Sequence, residues 1–90
     1  MAFELALPPP FPAQDWKVKI RDKERAEPPH VTILHRKKAW RFGLRERAFL
    51  DGEPPPREVP FEILEAIHAA HDLLCAEWDL RYPHNPVSSA

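Results

Sequence analysis

Ninety residues with 13 basic and 14 acidic side chains carry a net charge of −1 at pH 7 and leave room for one small domain. The single cysteine, Cys75, excludes an internal disulfide and a thiolate metal cage, so no metal and no cofactor are expected. No apolar run is long enough to cross a membrane, and residues 1–7 lack both the charged and the apolar region of a signal peptide, which together predict a cytoplasmic protein.

The near-neutral total is a cancellation. All cationic residues except Arg57 and Arg81 lie between positions 17 and 47, whereas most carboxylates lie outside that stretch. A basic half beside an acidic half makes a dipole that can steer a charged partner or favour head-to-tail self-association.

In chain order, residues 1–14 form a Pro-rich arm, because Pro8, Pro9, Pro10 and Pro12 hold the backbone extended. The arm is either flexible or docked as an edge strand through Phe3, Leu5 and Leu7. A single domain then spans residues 15–82, and residues 83–90 form a tail. Trp16, Val18 and Ile20 alternate with Lys17, Lys19 and Arg21, the pattern of a half-buried strand. Residues 22–27 read as a loop closed by Pro28 and Pro29, and residues 30–35, rich in β-branched side chains, as a second strand. After a turn at Arg36 and Lys37, residues 38–45 alternate again, with Trp40, Phe42 and Leu44 inward and Ala39, Arg41, Gly43 and Arg45 outward. Ala48, Phe49 and Leu50 suit a short fourth strand before the Asp51-Gly52 turn and a proline crossing.

Pro60 opens a helix that should run to about Arg81. On its wheel Ile63, Leu64, Ile67, His71, Leu74, Trp78 and Tyr82 share the face that covers the sheet. The predicted fold is α+β: a three- or four-stranded antiparallel sheet with one long C-terminal helix packed across one face. A second stripe, Ala66, Ala69, Leu73, Ala76 and Leu80, lies on the far side of that helix and would let a second copy or a partner helix approach closely.

Nothing in the chain identifies a reaction. There is no Gly-rich phosphate loop, and no serine or threonine stands in a nucleophile setting. His68 and His71 are one helical turn apart near Glu65 and Asp72, but one helix cannot complete a carboxylate-bridged metal site. Cys75 reads as a small buried apolar residue. His30, stiffened by two prolines, is the one candidate general acid or base, with Arg36 or Arg41 as a phosphate clamp in a small metal-free ribonuclease. Lys17, Lys19, Arg21, Arg41 and Arg45 would line the solvent face of the sheet, a candidate surface for an acidic protein or for weak, nonspecific nucleic-acid contact. Trp16, Trp40 and Phe42 fall on the opposite, buried face, away from any base-stacking role there.

Glu27, Pro28, Pro29, His30 and Val31, a following basic strand, Leu50 and Gly52, and a final helix with Leu74 and Trp78 resemble the small bacterial proteins grouped as domain of unknown function 4160. The resemblance covers about two-thirds of the chain, and Thr32 stands where that family carries a second histidine. It implies a short cytoplasmic protein of a toxin–antitoxin-like pair, without established catalysis and with a protein partner. The expectation is therefore an interaction module, with a nucleic-acid binder or a ribonuclease as alternatives.

Overall fold

Four segments with period-two apolar patterning pair into one antiparallel meander: β1 (Phe3–Leu5), β2 (Trp16–Ile20), β3 (His30–His35) and β4 (Lys38–Gly43), in that order across the sheet. The computed structural model describes residues 3–22 and 26–88; the middle of the predicted loop, Lys23, Glu24 and Arg25, lies outside them, as do Met1, Ala2, Ser89 and Ala90. Register follows from the alternation. Val18 lies opposite Ile33 and Ile33 opposite Trp40, while Val31 lies opposite Phe42, so one face carries a continuous apolar surface.

The fourth strand is β1 at the N-terminus, the docked alternative for the arm. Phe3 lies opposite Ile20 and Leu5 opposite Val18, which extends the apolar face, while Glu4 falls opposite Lys19 on the other side. The prolines and a 3-10 turn at Pro12–Gln14 carry the chain from β1 back into β2. Residues 48–50 do not form the predicted strand. Phe49 makes an isolated bridge to Phe42, flanked by hydrogen bonds from Gly43 N–H to Ala48 O (2.8 Å) and from Leu50 N–H to Arg41 O (2.9 Å).

β4 also stops earlier than expected: Leu44 N–H still donates to Pro29 O, but Pro29 has no N–H to return, and Arg47 N–H closes a turn onto Gly43 O with Arg47 at φ 53°. A Cβ at Gly43 would displace the exposed Glu46 carboxylate and press Leu50 Cδ2 at 2.9 Å.

The second layer is helical but is not one long helix. α1 (Phe61–Ala69) and α2 (His71–Arg81) are separated at Ala70, whose φ of −99° and ψ of 14° leave helical geometry. A straight helix over this stretch would run about 30 Å, across a four-stranded sheet only about 14 Å wide and twisted as well. The break lets both halves keep an apolar face on the core. Ile63 and Ile67 from α1, with Leu74, Trp78 and Tyr82 from or just after α2, are buried with Trp16, Val18, Ile20, Val31, Ile33, Trp40, Phe42 and Leu44. Leu64, expected on this face, is half-buried at its edge, as is His71. No helix among the described residues is long and apolar enough to cross a membrane.

The segment beyond α2 is tied down as far as Val87. Arg45 Nε donates to Val87 O at 2.8 Å, Asn85 Nδ2 to Glu27 O at 2.8 Å, and Val87 N–H to Asp79 Oδ1 at 2.8 Å.

Candidate functional site

His30 opens β3 with its side chain fully enclosed. Its Nδ1 lies 2.8 Å from Pro28 O, a pure acceptor, so Nδ1 carries the hydrogen; Nε2 faces Glu27 Oε1 at 3.9 Å, and the ring sits 5.5 Å from that of Trp78. Glu27 also accepts from Arg41 Nη1 at 3.0 Å, and Arg41 forks onto Asp51 through Nε and Nη2, both at 2.7 Å. Asp51, by this hydrogen bonding above all, keeps the Arg41 guanidinium protonated far above its ordinary range, and Arg41 in turn holds the Asp51 carboxyl below the usual carboxylate value. The four side chains join the β2–β3 loop, the sheet and the loop after residue 48. This geometry leaves the imidazole no exposed surface. Arg36 follows the far end of β3, whose residues 30–35 alone span about 17 Å, so His30 and Arg36 do not meet.

The solvent face of the sheet holds fewer available cations than the alternation suggested. Lys17 and Arg21 are exposed, and Lys19 lies 3.9 Å from Glu4. Arg41 stands between two carboxylates, and Arg45 holds the C-terminal segment through Val87, Pro86 and Asn85.

On the helices, Leu73 and Leu80 of the outer stripe are exposed, as are Ala69 and Ala76, with Ala66 half-buried. His68 is exposed and meets Phe42 edge-on at 5.9 Å. Burial and the nearby Arg47 charge push the His71 imidazole below its usual value, and burial chiefly pushes the Cys75 thiol up, an inert pairing at 3.4 Å rather than an activated nucleophile. Among the described residues no group of three or more His, Cys, Asp or Glu could hold a metal ion.

A cleft of about 470 Å³ opens between the β3–β4 hairpin and the 3-10 turn Pro56–Glu58, lined by Trp16, His35, Arg36, Lys37, Lys38, Trp40 and Glu58. Trp16 stacks parallel on His35 (4.0 Å, 2°) and against Trp40 (5.7 Å, 23°). The sequence placed both tryptophans on the core face and singled out Arg36 alone of the hairpin cations. What it offered toward this cleft was the two-residue turn, whose length sets His35 opposite Lys38 and brings the aromatics of three strands to one end. Together the sheet and the two helices define a two-layer α+β domain. No family model matches the chain, and no curated protein or solved structure shows significant similarity to it.

Proposed function

We propose that this protein is a small cytoplasmic interaction module whose partner is another protein seated on the outer face of its helical layer. The carrying observation is that the large apolar side chains exposed among the described residues, Phe61 (69%), Leu73 (48%) and Leu80 (75%), all belong to α1 and α2. A domain of this size gains stability from covering such side chains. The same two helices carry Glu62, Glu65, Asp72, Glu77 and Asp79 against Arg81, which is held by Glu77 at 2.6 Å. The partner that fits is an apolar strip flanked by lysine or arginine. A second copy fits worse, because its carboxylates would meet these.

The resemblance of residues 27–31 to the family of unknown function 4160 supports the same reading, with the partner being the other member of a toxin–antitoxin-like pair. The nucleic-acid alternative through the sheet face is weakened by Arg41, whose charge is already matched by Asp51 and Glu27. The test is affinity capture with the wild type and with Leu73→Glu/Leu80→Glu, followed by reconstitution with the purified partner. The double variant should melt like the wild type and lose the partner. Equal binding by both baits rules out this face.

A further inference from the structure

We propose that the cleft at the β3–β4 hairpin is a binding site for a phosphorylated planar ring, a nucleotide or the equivalent unit of a single nucleic-acid strand. Its volume, about 470 Å³, lies in the range of small-molecule sites, about 300–1,000 Å³. Its wall is a ready-made aromatic stack. Trp16 and Trp40 are almost wholly buried, and Trp40 is further held by its Nε1–H donating to Pro55 O at 3.1 Å. They support His35, which is partly exposed, lines the cleft and stacks on Trp16 at 4.0 Å. A stack that ends in a partly open ring is the surface on which another flat ring gains the most, because every base presents a π-face.

The charge at the mouth selects an anion. Lys38 is tied to Glu58 at 2.6 Å, which neutralises the one carboxylate of the cleft, whereas Arg36 and Lys37 make no ion pair with any described residue. Arg36 also holds φ at 56°, in the left-handed region that favours glycine. Glycine would be the easier residue at this position of the two-residue turn, where the chain carries a guanidinium instead. An arginine and a lysine at the mouth of a cleft walled by aromatic rings suit a phosphate attached to a ring better than a carboxylate side chain, which has no flat face to stack.

The test is an NMR titration of the full chain with adenosine monophosphate, with adenosine and inorganic phosphate separately, and with a short single-stranded oligonucleotide. Of the three tryptophans, Trp16 and Trp40 line the cleft and Trp78 lies in the core beneath α2, so the Trp78 indole is an internal control. Adenosine monophosphate should shift the Trp16, Trp40 and His35 ring signals and leave Trp78 in place, with adenosine or phosphate alone binding at least about tenfold more weakly. Arg36→Gly/Lys37→Ala, which relaxes the turn while removing both charges, should lose about tenfold. An oligonucleotide that binds more tightly than the mononucleotide identifies a nucleic-acid strand as the source, and one that binds equally or less tightly identifies the free nucleotide. Unshifted cleft signals at millimolar nucleotide, or equal affinity in the hairpin variant, overturn the proposal. Leu73→Glu/Leu80→Glu should bind the nucleotide as the wild type does, which separates this site from the helical face.

Discussion

At the scale of single residues, the charged group around His30 shows how a motif that looks chemical can be structural. A buried imidazole, two carboxylates and an arginine are the ingredients of proton transfer, yet each donor and acceptor named here is directed at another part of the chain. The carboxyl of Asp51, held by Arg41 below its usual 3.8, stabilises the fold above that pH and loses its contribution as pH falls through the depressed value. Its side chain is 39% exposed, so solvent screening keeps the effect small. Asp51→Asn should therefore cost about 1 kcal/mol or less at pH 7, and denaturant titrations of wild type and variant should converge as pH falls through the depressed carboxyl value. A gap that persists in acid would mean that the carboxylate's charge is not what matters.

At the scale of elements, local pattern carried most of the fold. The alternation from Trp16 and the β-branched run after Pro29 place β2 and β3 where the structure has them, and the wheel finds Ile63, Ile67, Leu74 and Trp78. Where pattern was short or the cause lay elsewhere, it was not legible. Phe3 to Leu5 is three residues of alternation followed by prolines, and only pairing with β2 makes it a strand. The break at Ala70 has neither proline nor glycine to announce it, since it answers the sheet beneath. The cleft needs register across three strands, a non-local quantity. Trp78 tests whether α2 is anchored as described: its ring packs on Tyr82 at 4.2 Å and on His30, and its Nε1–H donates to Asn85 O at 2.7 Å. Trp78→Ala should cost about 3–5 kcal/mol, enough to unfold a domain this small, and an unchanged melting temperature would place the helix on the sheet through some other face.

At the scale of the whole molecule, charge and apolar surface are divided between the layers. The helices carry the acidic excess and the exposed leucines, while the sheet and its hairpin carry the cations. Two modes of self-association follow, and salt acts on them with opposite signs. Head-to-tail contact of sheet on helices is an attraction between unlike charges, so it should form only at low ionic strength. Contact of helices on helices through Leu73 and Leu80 brings Glu65, Asp72 and Asp79 of one copy toward those of the other, a repulsion that falls as the Debye length shrinks from about 8 Å at 0.15 M to about 3 Å at 1 M. The purified protein should thus sediment as a monomer at physiological salt, and raising salt to 1 M should promote a dimer that Leu73→Glu/Leu80→Glu cannot form. A stable dimer at 0.15 M that the double variant retains would show that neither the stripe nor its acidic surround governs association. A wild-type dimer at 0.15 M that the variant loses would leave the stripe as the interface and make a second copy, rather than a basic partner, its occupant.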